Sequence, residues 1–409
     1  MKKQLLFFVL GATVLAFGCK KKSDPGQDDP FKLEYSNNTV EQNKAELETS
    51  GTEFVKEFST LPDEPFIDVL DVFSTLNFEA IDVDAIGVNS INNIKVAAVR
   101  KNIKMFVSPA QGASTDVAKL SGVYGIYVWN ATDEEFVKQT ATDKVEFRFP
   151  STEGGTSNDA TLTFTYEVGL TATIDDEKVE LPKKSTTTLK VGSQTLLSVN
   201  TSHEYKSDGT PTKSNVVAVM GAFEMSNEVV NDGNNASVSF AIKKGTKALM
   251  SISASGDGKG TVSAIEEDED DLINNGNFTL EVMNFKFTGK ADIKSIIEEN
   301  DAISDTNNES RINKEAAIFN KYAQLVVVNT TDNTIIAKLE MKGEVGEEDC
   351  YSYTYWDGTR DVTVINCETS TELIPMLIFK DGTKQSFEDY GENGFQAVID
   401  EFEKLTDKF

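Results

Sequence analysis

Histidine is nearly missing from this chain of 409 residues: His203 stands alone, beside three cysteines, two tryptophans and nine prolines. Each scarcity excludes some chemistry. A zinc site takes three or four nitrogen or sulfur ligands, and His203 with the dispersed Cys19, Cys350 and Cys367 cannot supply a usual set. A Ser-His-Asp triad needs His203 as its base, yet Ser202 and Glu204 project to the opposite side of a strand from it. No Gly-x-Ser-x-Gly elbow is present. The run Gly256-Asp257-Gly258-Lys259-Gly260-Thr261 lacks phosphate-loop spacing and reads as a turn between strands. Basic residues are also in short supply, with 39 Lys and Arg against 67 Asp and Glu and a net charge of −28. Nucleic acid is thereby excluded as a partner, because binding it requires a cationic footprint. No cofactor and no metal is expected, and the chain reads as non-enzymatic.

Long apolar stretches are equally rare, and the one that exists lies at the start. Met1-Lys2-Lys3 is a short positive lead, Leu5 to Phe17 is almost unbroken apolar sequence, and Gly18 precedes Cys19. About 13 residues rise about 20 Å as a helix, short of a hydrocarbon core of roughly 30 Å. This is the anatomy of a secretory signal peptide. Its end, Leu15-Ala16-Phe17-Gly18-Cys19, resembles the lipobox of bacterial lipoproteins. The resemblance implies removal of residues 1–18, acylation of Cys19 with chains such as palmitate, and anchoring to the outer membrane. Residues 19–36, with Lys20-Lys21-Lys22 followed by a polar run holding Pro25, Gly26 and Pro30, read as a flexible tether. That tether resembles those of Bacteroidota-type lipoproteins, and leaves cell surface and periplasmic face both open.

With Cys19 acylated, Cys350 and Cys367 remain, an even count in an oxidising compartment. They flank two short alternating runs about Asp357-Gly358, so a hairpin would bring them together as a disulfide candidate. Close Cys-x-x-Cys redox spacing is absent.

The hydrophobic period divides the rest of the chain. Thr39 with Gln42 fits a capping box, and Leu47, Phe54, Val55 and Phe58, then Phe66, Val69, Leu70, Phe73 and Leu76, recur at helical spacing on either side of Pro62 and Pro65. From about Phe78 to Gly289 the period becomes two, with Asn/Asp/Gly clusters between runs. Alternation slips at Met283-Asn284, which predicts a bulge in a bent strand. Ile293, Ile296 and Ile297, then Ile312, Ala316, Phe319 and Tyr322, mark a helical segment near 291–323. Two further hairpins share an Asp-Gly-Thr turn, and Phe395, Val398, Ile399, Phe402 and Leu405 predict a C-terminal helix. The fold class is mainly β (α+β), a large curved antiparallel sheet of meanders with an N-terminal helical hairpin. Residues 37–290 hold that hairpin and a β domain; residues 291–409 belong to the same domain or to a second one.

Binding residues are sought among aromatic groups beside turns, since carbohydrate recognition uses aromatic faces. Trp356, Tyr355 and Asp357 lie together at one turn, and Trp129 lies on a strand whose default is packing. Glu266 to Asp271 are six adjacent acids that read as an exposed loop, without the spacing of a calcium loop. The expected function is a non-enzymatic outer-membrane-anchored lipoprotein whose β domain binds a glycan, a protein or another ligand. Two alternatives stay open: a periplasm-facing carrier of an apolar ligand on a half-open sheet, and a polysaccharide-acting enzyme using paired carboxylates.

Overall fold

The computed structural model describes residues 29–78, 124–174, 177–207, 209, 211–257, 274–356, 358–392, 398 and 400. Helix α1 (Val40–Phe58) begins where the capping box predicts: the Thr39 hydroxyl accepts from the Gln42 amide and the Gln42 side chain accepts from the Thr39 amide. Helix α2 (Pro65–Thr75) follows, with Pro65 at its first turn, where a missing N–H costs nothing.

Sixteen strands then form one sheet among the described residues. They are β1 (Gly125–Asn130), β2 (Glu135–Gln139), β3 (Lys144–Phe149), β4 (Ala160–Ile174), β5 (Glu177–Val191), β6 (Gln194–Tyr205), β7 (Pro211–Met220) and β8 (Phe223–Asn231). They continue with β9 (Asn235–Lys244), β10 (Lys247–Asp257), β11 (Asn275–Val282), β12 (Phe285–Asp292), β13 (Ala323–Asn329), β14 (Thr334–Trp356), β15 (Asp361–Ile378) and β16 (Lys384–Ser386). Helices α3 (Ile293–Asp301) and α4 (Asn308–Tyr322) connect β12 to β13, and α5 (Phe387–Glu392) follows β16. From β3 to β16 every strand pairs antiparallel with the strand next in sequence. The exception is at one edge, where β1 lies parallel to β3 and carries β2 outside it. The pairing of β12 with both β11 and β13 runs straight through residue 290, so the sheet is continuous across the boundary drawn from sequence.

Period-two alternation explains which face the helices cover. Phe164, Val199, Ala218, Met225, Ile242 and Met250 follow one another across β4 to β10 on one face and belong to a single apolar cluster with Phe66, Leu70 and Phe73 of α2. The opposite face carries hydroxyl and amide pairs such as Thr186 with Asn200 and Thr279 with Thr288. Phe73 is fully buried among Phe78, Phe136, Phe147 and Phe149, with ring centroids 4.8 to 6.5 Å away. A second cluster joins Val40 and Leu47 of α1 to Phe285, Val327, Leu377, Phe379 and Tyr390. Thus α1 reaches from the last strands to the β9–β10 turn, where Glu57 pairs with Lys244 at 2.8 Å and Lys247 at 3.2 Å.

The structure departs from the sequence reading in two places. Within the range read as tether, Phe31, Leu33 and Tyr35 pack on Val326, Val328 and Ile335 of the face away from the helices. Tyr35 also forms a bridge to Ile335 where the edge of β14 is open. The slip at Met283-Asn284 is a two-residue hairpin turn and not a bulge, since Val282 pairs directly with Phe285 and Met283 takes a φ of 52°. Asn284 is the one turn-type residue in it, and without glycine or proline beside it the compositional mark is faint. Of the predicted C-terminal helix, all but residues 398 and 400 lies outside the described residues.

Candidate functional site: a projecting aromatic hairpin

Strand length sets the site. β14 has 23 residues and β15 has 18, but β13 pairs with β14 only as far as Leu339 and β16 pairs with β15 only as far as Met376. The remainder of both strands, through a shift in register between Val345 and Glu348, stands beyond the sheet as a two-stranded ribbon. Gly343 sits at its root, where a Cβ would lie 2.7 Å from the Ile312 carbonyl oxygen, so only glycine lets α4 approach this closely. Asn320 of α4 occupies the place vacated by β13: its amide nitrogen donates to the Met341 carbonyl and its oxygen accepts from the Met341 amide, both at 2.7 Å. A cleft of about 340 Å³ opens beside it, lined by Ala316, Asn320, Glu340, Met341, Lys342 and Met376 among others.

An exposed two-stranded ribbon is expected to be polar, because each face meets water. This one is rich in acids and also carries large aromatic and apolar side chains. Tyr351, Tyr353 and Tyr355 alternate along one side of β14 at 51%, 48% and 48% exposure, with the Tyr353 and Tyr355 rings 6.2 Å apart. Trp356 and Ile365, on the opposite alternation, are 62% and 67% exposed, next to a Thr354–Thr363 hydroxyl pair at 2.9 Å. The chain reverses through Gly358, whose φ of 98° favours glycine.

Of the residues singled out from sequence, Tyr355 and Trp356 come together here, and Asp357 lies outside the described residues. Trp129 belongs to the distant end of the sheet, where its ring meets Phe136 edge-on at 5.2 Å and its carbonyl accepts from Asn158. Cys19 and the acids Glu266 to Asp271 also lie outside the described residues. The backbones of Cys350 and Cys367 are direct cross-strand partners. His203 pairs across the sheet with Ser214, its Nδ1 3.0 Å from the Ser214 hydroxyl; Ser202 and Glu204 pair with Asn215 and Lys213. Burial pushes the His203 pKa down and the Tyr205 hydroxyl up to about 12. Among the described residues, no three His, Cys, Asp or Glu side chains are placed to hold a metal ion.

Tyr351, Tyr353 and Ile365 were not singled out from sequence. Their alternation was visible, but it reads equally as half-buried strand; only the early ending of β13 and β16 makes it surface. No protein family, curated protein or solved structure matches the chain.

Proposed function

We propose that this protein is a non-enzymatic outer-membrane lipoprotein, held by an acylated Cys19, that uses its projecting hairpin to bind an envelope or extracellular partner. One observation carries the reading: five large apolar or aromatic side chains, Tyr351, Tyr353, Tyr355, Trp356 and Ile365, are about half exposed or more on a ribbon none of whose described side chains belongs to the core clusters. The three tyrosines form one exposed row on one face, with Trp356 and Ile365 on the other; exposed apolar surface of this kind marks interaction sites in stable proteins, and tyrosine and tryptophan are enriched at binding hot spots. The alternative of an apolar carrier has less support, because α1, α2 and the phenylalanines around Phe73 occupy the apolar face of the sheet.

The test has two arms. Cys19→Ala should move the protein from membranes to the soluble envelope fraction; retention in membranes rejects the anchor. Immobilised wild-type protein should retain envelope material, protein or glycan, that the Tyr351→Ser/Tyr353→Ser/Tyr355→Ser variant releases. Equal retention by both rejects the hairpin as the binding element.

A further inference from the structure

Resting on that reading, we infer that the hairpin captures an extended basic polypeptide, which adds as a strand along the open edge of β14. The edge comes first. From Lys342 to Trp356, β14 pairs only with β15; no described strand lies on its other side. Where β13 stops, Asn320 satisfies the N–H and C=O of Met341, and beyond it the outward backbone groups are a template for another strand. The β15 edge is guarded at the same level by Pro375, which has no N–H to offer. β14 has no proline. From 361 to 374 β15 has no proline either, so what distinguishes the edge of β14 is its row of exposed tyrosines.

Side chains give the second constraint. In an antiparallel pair, residues opposite one another place their Cβ atoms about 5 Å apart. A strand added to β14 would lay alternate side chains beside Tyr351, Tyr353 and Tyr355, the rings that the ribbon leaves exposed. Strand addition takes affinity from main-chain hydrogen bonds and selectivity from such alternate side-chain contacts.

Charge gives the third. Between residues 342 and 375 the hairpin holds eight acids, Glu344, Glu347, Glu348, Asp349, Asp357, Asp361, Glu368 and Glu372, against Lys342 and Arg360. A second copy of this chain would bring the same excess of negative charge to the same edge, and like charges across a ladder destabilise it. A Lys- or Arg-bearing strand meets the opposite sign, and its cations meet tyrosine faces as well.

The experiment uses four synthetic decapeptides with the full chain: one alternating Lys and Val, one alternating Glu and Val, and the Lys-Val peptide N-methylated on every second residue in each of the two registers. The Lys-Val peptide should bind, with amide hydrogen exchange slowed within residues 342–356, and binding should weaken with salt. Tyr353→Ser/Tyr355→Ser should weaken it about tenfold or more, with an unchanged melting temperature showing that the variant is folded. The Glu-Val peptide should not bind. One of the two N-methylation registers should abolish binding, since it removes the donors that face β14. Failure of the Lys-Val peptide, equal binding of the Glu-Val peptide, or protection elsewhere in the sheet overturns the inference. If envelope material is still released by the triple tyrosine variant while no peptide binds, the hairpin binds something other than a basic strand, and only the broader reading survives.

Discussion

Cys350 and Cys367 face each other across β14 and β15 as direct register partners, with sixteen residues of the exposed ribbon between them. A disulfide here would close the ribbon above its root. Chain entropy assigns about 3 kcal/mol to a loop of this length, but an outlying ribbon opens locally without unfolding the core. Cys350→Ser/Cys367→Ser should therefore leave the global melting temperature nearly unchanged, while chymotrypsin cuts after Tyr351, Tyr353 and Tyr355 much faster. Intact mass should show two hydrogens lost in the oxidised wild type. Equal cleavage rates, or two free thiols in the air-oxidised protein, would remove the disulfide from the account.

Glu146 gives the sheet a pH-dependent component. Its carboxylate is nearly buried on β3 between Lys144, at 2.6 Å, and Arg148, at 2.7 Å. Burial opposes ionisation, yet the hydrogen bonds and charges of Lys144 and Arg148 outweigh it and hold the carboxyl below its ordinary value of 4.5. A depressed folded-state value stabilises the fold above the unfolded-state value, and the contribution disappears as pH falls through the folded one. Glu146→Gln should cost about 1–3 kcal/mol at neutral pH, with the gap to wild type closing as denaturation is repeated below about pH 4.5. A gap independent of pH would assign the effect to packing.

Phe73 tests the core that organises the β1 to β10 half of the sheet. It touches Phe78, Phe136, Phe147 and Phe149 and has no solvent exposure. Phe73→Ala should destabilise the protein by about 3–5 kcal/mol, read as a lower denaturation midpoint, without altering partner binding at the hairpin some distance along the sheet. A loss below about 1 kcal/mol would mean that α2 is not the keystone of this cluster.

Much of this architecture is legible in the chain because it is written in local periodicity. Thr39 with Gln42 announces α1, and the matching Asp-Gly-Thr runs give two turns whose glycines, Gly358 and Gly382, take φ values of 98° and 83°. What is not legible is relational. Met283 takes a positive φ in a turn whose one turn-forming residue is Asn284, and Phe31, Leu33 and Tyr35 hold too little sequence to reveal that they dock. The exposure of Tyr351 depends on where β13 ends, a comparison between strands far apart that no window around Tyr351 contains.

The strand order has a consequence for how the molecule is made. Because β3 to β16 follow one another in space as they do in sequence, each hairpin can zip onto the last as the chain emerges, at small loop-closure cost. The exception is the clasp: Lys380 reaches Ser36 and Asn37, and Val40 and Leu47 join Phe379 and Tyr390. Residues 36–47 thus wait for the last strands, and the apolar face of α1 stays unfinished until they arrive. A chain cut short before β15 would form most of its ladder and still lack the contact that locks its first helix in place.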